Sequence, residues 1–137
     1  MFLVLISFFL HLVQPPTGSL EVVVQNVDIA SDETVRVGLY NNPDVFPDES
    51  KQYQGKILPA SRTSLTFRFD GLSPGKYALA SFQDENNDGV LNTNFLGAPT
   101  EEYGFSQNPR IWFSAPDFED CEVTVISGKK TRITIEL

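Results

Sequence analysis

Polar and apolar residues alternate along much of the chain in short runs, the period-two signature of strands with one face buried. LEVVVQNVDI (20 to 29), TVRVGLY (34 to 40), QGKILPA (54 to 60), SLTFRFD (64 to 70), KYALASFQD (76 to 84), DCEVTVIS (120 to 127) and TRITIEL (131 to 137) carry this pattern and are rich in β-branched and aromatic residues. Between them stand Ser31-Asp32-Glu33, Asp70-Gly71, Ser73-Pro74-Gly75 and Ser127-Gly128-Lys129, which supply turn chemistry. The pattern predicts an all-β domain, a single antiparallel β-sandwich of about seven strands. GLSPGKY (71 to 77) adds a tight corner directly before a strand. Tyr77 either closes that corner with its hydroxyl, as in Greek-key sandwiches, or is an ordinary strand aromatic.

Two segments break the rhythm. NNPDVFPDESKQY (41 to 53) offers Pro47-Asp48-Glu49 as the start of one helical turn, with Phe46 pinning it to the core. From Asp84 to about Asp117 runs a connection far longer than the usual ~4–6 residues. Its aromatics, Phe95, Tyr103, Phe105, Trp112, Phe113 and Phe118, predict an ordered loop, because disordered segments are poor in such residues.

A length of 137 residues with 41 % hydrophobic residues suits one domain with one packed core. The formal charge of −8 excludes the basic surface that nucleic-acid binding needs and favours cations or basic partners. MFLVLISFFLHLV (1 to 13) is apolar but shorter than the roughly 20 residues of a membrane-spanning helix, so an integral membrane protein is not expected. It reads as the core of a signal peptide over residues 1–19, with Thr17 and Ser19 flanking the cleavage point and residues 20–137 forming the domain. Its n-region offers only the α-amino group and no Lys or Arg, so either the true start lies a few residues upstream or the run is a buried N-terminal strand. The single cysteine, Cys121, excludes an intramolecular disulfide and is expected half-buried on a strand.

Catalytic chemistry is sparse. His11 is the only histidine and lies in the expected leader, which removes Ser-His-Asp, Cys-His and histidine-zinc chemistry from the domain. No G-x-S-x-G elbow, Walker loop or G-x-G-x-x-G fingerprint occurs. Only a hydrolase running on two carboxylates remains as an enzymatic alternative, and no spacing identifies the pair.

DENNDGVLNTN (84 to 94) is the one stretch with the spacing of a calcium loop. Asp84, Asn86 and Asp88 alternate ahead of Gly89, then Val90 would offer its carbonyl and Asn92 its side chain. Alternate oxygens converge because the glycine lets the backbone turn around a hard cation. The position of the usual bidentate Glu holds Phe95, so Glu101 or Glu102 would have to complete the set and affinity would be weak. Asp84, Glu85, Asp88, Glu101 and Glu102 all fall between Lys76 and Arg110, a span with no Lys, Arg or His. Either a cation neutralises these acids, or the stretch is a solvated turn whose Asn and Asp side chains cap their own amides.

The residues from 75 to 106, GKYALASFQDENNDGVLNTNFLGAPTEEYGFS, preceded by VRVGLYNNPDVFPDE (35 to 49), resemble a secreted bacterial family catalogued as domain of unknown function 2141. The likeness runs from about Leu20 to Leu137 and matches Tyr77, Asp84, Asn86, Asp88, Gly89, Asn92, Asn94, Gly97, Pro99, Glu101, Tyr103, Gly104, Phe105 and Ser106. Glu102 departs from it, standing where the family often has glycine. The resemblance implies export to the periplasm or the cell exterior and a sandwich of the transthyretin or immunoglobulin-like kind, but no biochemical role.

Together these readings describe an exported, non-enzymatic binding or accessory module of the cell envelope. Ca²⁺ is the candidate cofactor, through Asp84, Asn86, Asp88, Val90, Asn92 and Glu101. Tyr103, Phe105 and Trp112 are the candidate contacts for a protein or glycan partner, or else staples that hold the long loop to the domain. The alternative function is a purely structural interaction domain with a hydrated acidic loop and no metal.

Overall fold

The computed structural model describes residues 12–137. Eight strands form in chain order: β1 Gly18–Gln25, β2 Thr34–Tyr40, β3 Gln54–Pro59, β4 Ser64–Leu72, β5 Gly75–Asp84, β6 Tyr103–Phe105, β7 Val123–Val125 and β8 Lys130–Glu136. Short 3₁₀ turns at Glu49–Lys51 and Phe118–Cys121 are the only helical pieces among the described residues. The fold is therefore all-β, as the alternation predicts.

The strands make two sheets. One has the order β4-β1-β8, the other β3-β2-β5-β6, with β7 also paired to β5. All pairings are antiparallel except β1 with β8, which runs parallel from Ser19↔Lys130 to Gln25↔Glu136. That pairing corrects the expectation of a wholly antiparallel arrangement: the end of the chain returns beside its described start in the same direction. Alternation sorts side chains between the faces. Leu20, Val22 and Val24 of β1 and Ile135 of β8 meet Val35, Val37 and Leu39 of β2 and Leu79 of β5 in one core between the sheets.

The larger sheet also buries part of its outer face. Tyr40 and Ala78 join Phe105, Phe118 and Cys121 there in a second apolar cluster. Phe46 sits at its centre, edge-on to Tyr40 at 5.1 Å and to Phe105 and Phe118 at 5.9 Å. The segment 41–53 is thus pinned by Phe46 as expected, and Asp48 caps the following 3₁₀ turn by accepting from the Ser50 N–H.

Three local outcomes have clear causes. The Tyr77 hydroxyl donates to the Ser73 carbonyl at 2.7 Å, so it closes the Ser73-Pro74-Gly75 corner. β1 ends at Gln25 because Asn26 turns left-handed, with φ 62°. Cys121 is not a half-buried strand residue: it is fully buried at the end of the second 3₁₀ turn, and the strand begins only at Val123. Burial pushes its thiol up to about 12, with Asp120 and Asp117 adding to the rise, which makes a reactive thiolate unfavourable.

The expected leader, 1–19, lies largely outside the described residues. β1 already starts at Gly18, and Gly18 lies so close to the Ile126 carbonyl that no side chain fits there. A leader ending at Ser19 would take two paired strand residues with it.

Candidate functional site

The acidic loop leaves the end of β5, where Asp84 is opposite Thr34 of β2. Arg36, two residues along the same face of β2, reaches Asp84 diagonally and places Nε 2.6 Å from Oδ2. Asp84 has no exposed surface, and the Arg36 side chain keeps about a quarter of its own. The same carboxylate accepts from the Gly89 N–H at 2.8 Å and the Asp88 N–H at 3.2 Å. Arg36 therefore supplies a counter-charge to Asp84, one of the five acids between Lys76 and Arg110.

Further along, the side chains of Asp88 and Asn94 cap backbone amides. Asp88 Oδ1 accepts from the Val90 N–H, while the Asn86 and Asn92 amides donate to its Oδ2. The Asn92 amide, then the Val90 N–H, hold its carboxyl below the usual carboxylate range. Asn94 Oδ1 accepts from the N–H groups of Leu96 and Ala98. Residues 92–100 close into a small hairpin through the Thr93↔Pro99 bridge and the Thr100 N–H to Asn92 carbonyl bond. Gly97, with φ 80°, turns its tip.

Glu101 joins the two halves of the unit. One carboxylate oxygen accepts from the Glu85 N–H and the other from the Asn92 N–H, both at 2.7 Å. Glu102 does not share that role in its side chain; its carbonyl accepts from the Gln83 N–H. Asn87 ties the loop to the start of β2 by accepting from the Thr34 hydroxyl, and Glu49 ties it to the segment 41–53 by accepting from the Leu91 N–H.

The side chains of the expected calcium set are engaged within the protein. Of the six expected ligands, Asp84 faces a guanidinium and Glu101 is engaged at both oxygens by amides, while Asn86, Asp88 and Asn92 bond one another. The Val90 N–H joins the same network, as a donor to Asp88. Among the described residues no group of three or more His, Cys, Asp or Glu side chains could hold a metal ion.

The aromatics separate into two sets. Phe105 is buried in the second cluster and Tyr103 packs against it, so these two staple the loop to the outer face of the larger sheet. Trp112 keeps 75 % of its surface and Phe113 is fully exposed. The hairpin tip displays Phe95, which the sequence offers only as a sign of order, and Leu96, which no sequence motif marks. Between the segment 41–53, this hairpin and residues 111–115 opens a cleft of about 800 Å³, floored by Tyr103 and Phe105 and edged by Leu96, Trp112 and Phe113. The advance signals for Leu96 and Phe113 are the apolar runs Phe95-Leu96 and Ile111-Trp112-Phe113 within the long loop.

Ser106 completes the YGFS unit. Its hydroxyl accepts from the Leu79 N–H at 3.0 Å and donates to the Cys121 carbonyl, fixing β5, β6 and the second 3₁₀ turn together. Among the described residues no helix is long and apolar enough to cross a membrane.

No curated protein and no solved structure gives a match to this chain. The model of one family, described as an uncharacterised protein conserved in bacteria (DUF2141), matches residues 22–134. That span includes β2 to β7, the acidic loop and the YGFS unit, and the chain belongs to this family.

Proposed function

We propose that this protein is a non-enzymatic binding module of the cell envelope, built as a two-sheet sandwich that presents an aromatic-edged cleft. The cleft carries the reading: Leu96, Trp112 and Phe113 stand exposed on two loops, one closed by the acidic unit and the other packed through Ile111 on the second apolar cluster. Clustered exposed apolar side chains of this kind mark interaction sites on soluble domains. Export is the reading of the apolar run Met1 to Val13 and gives the module its place in the periplasm or outside the cell.

A binding role is favoured over hydrolysis by the placement of the acids. Those lining the cleft are Asp44, Asp48 and Glu49, all from one segment, whereas carboxylate-only hydrolysis needs an acid on each side of the scissile bond. Nile red, a neutral apolar dye, is the test. It is expected to brighten on binding the native protein and to bind about tenfold more weakly to Leu96→Ser/Phe113→Ser, whose melting temperature stays within about 2 °C because both side chains are exposed. A native protein that leaves the dye dark would remove the reading.

In this reading the acidic loop is a frame held by Arg36 and backbone amides, and calcium is not needed to neutralise it. Melting curves in millimolar calcium and in chelator are then expected to coincide to within about 1 °C, because a ligand stabilises only in proportion to its binding to the native state. A calcium-dependent rise of several degrees, abolished by Asp88→Asn, would restore the oxygen cage that the spacing suggests.

A further inference from the structure

The charges beside the cleft are not balanced. Asp44 has no hydrogen bond or ion pair through its carboxylate among the described residues. Glu49 accepts one N–H, from Leu91, and has no cation at ion-pair distance among the described residues. Lys51, the one basic residue of the lining, stands 3.6 Å from Asp48. Two carboxylates are thus left facing solvent or ligand beside an apolar edge, on a chain of charge −8. Such a surface repels acidic partners and steers basic ones toward it.

We infer that the cleft takes a basic, amphipathic peptide segment of a partner protein. Its apolar side chains lie against Leu96, Trp112 and Phe113, and its Lys or Arg groups meet Asp44 and Glu49. The inference rests on the binding reading above and names the partner class. A neutral sugar is the poorer occupant, since it could stack on Trp112 but would bring no positive charge to Asp44 and Glu49. A peptide uses both features at once, burying apolar side chains and pairing its charges at the rim.

Trp112 is the only tryptophan, so emission excited beyond the absorption of the four tyrosines reports on the cleft alone. Three short synthetic peptides of alternating sequence serve as probes: Leu/Lys, Leu/Ser and Leu/Glu. The Leu/Lys peptide is expected to shift the emission to the blue and to saturate. Its affinity should fall roughly tenfold between about 50 and about 500 mM NaCl, and by a similar factor in Asp44→Asn/Glu49→Gln at low salt. The amide oxygen that replaces the Glu49 carboxylate can still accept from the Leu91 N–H, so the melting temperature should hold. The Leu/Glu peptide should leave the emission unchanged.

Other outcomes separate the two ideas. If Leu/Ser binds as tightly as Leu/Lys, the basic partner is overturned while the apolar cleft stands. If phosphatidylcholine vesicles shift the emission as strongly as Leu/Lys, the site is a lipid-facing one and the inference fails. No response to any peptide, with Nile red still bound, overturns the inference alone. Loss of the dye response as well overturns the binding reading.

Discussion

Replacing Arg36 by methionine is expected to destabilise the protein by about 2–4 kcal/mol, although Arg36 lies 48 residues from its partner and outside the acidic loop. Methionine preserves the apolar stem that packs on the sheet and removes only the guanidinium. Asp84 is then left as a carboxylate with no exposed surface and only the Gly89 and Asp88 amides to hold it. An unpaired buried charge costs several kcal/mol, whereas the net worth of a satisfied pair is small. The signature is therefore non-additivity. Asp84→Asn alone should cost about 2–3 kcal/mol, because it sets an amide N–H or a weaker acceptor against the guanidinium. The double variant Arg36→Met/Asp84→Asn should be about 1–3 kcal/mol more stable than the sum of the single changes. Urea unfolding measures this through the midpoint at constant slope. Additive losses below about 1 kcal/mol each would mean that Glu101 and the Asn caps hold the loop without the ion pair.

The same pair shows where the sequence stops being legible. Strands can be read from alternation because each strand's buried face is a local property, visible as Val35, Val37 and Leu39 or Leu65, Phe67 and Phe69. Pairing is not local. That β1 lies parallel to β8, or that Thr34 faces Asp84, depends on register across the sheet, and no run of residues within one strand records it. Asp84 looks unneutralised for this reason: no cation stands near it along the chain, and its partner Arg36 comes from the neighbouring strand of the sheet. β6 escapes a reading by pattern because three residues are too few to show a period.

The acidic motif is ambiguous in a different way. A D-x-N-x-D-G spacing brings alternate oxygens to the inside of a tight turn, and that geometry serves a cation or a set of backbone N–H groups equally well. Asp84 and Asp88 turn it inward to amides. The reach of Glu101 is legible, since the spacing asks for an acid to complete the unit from a distance. What it completes is the closure of a hairpin, through the Glu85 and Asn92 amides. The aromatics of the long loop do signal order. Phe105 and Trp112 cannot be told apart by sequence, because burial of one and exposure of the other depends on Phe46 arriving from another segment.

Gly104→Ala is expected to cost about 2–4 kcal/mol, a large effect for one added methyl group. A Cβ at Gly104 would lie 2.9 Å from the Ile135 methyl Cγ2 and 3.1 Å from the Glu136 carbonyl carbon, with the carbonyl oxygen closer still. Two of these three are backbone atoms of β8, which cannot rotate away. β6 belongs to the larger sheet and β8 to the smaller, so the substitution forces the two sheets apart where these strands meet. The strain reaches further, because Asn108 spans the same gap: its amide donates to the Thr134 carbonyl and accepts from the Glu136 N–H, closing the open edge of β8. Gly55→Ala is the matched control. There the new Cβ meets only the end of the flexible, exposed Gln52 side chain, and the expected change is below about 1 kcal/mol of either sign. Unfolding both variants in urea tests the contrast. A tolerated Gly104→Ala would show that the sheets can separate at this end, and the YGFS glycine would need a reason other than close packing.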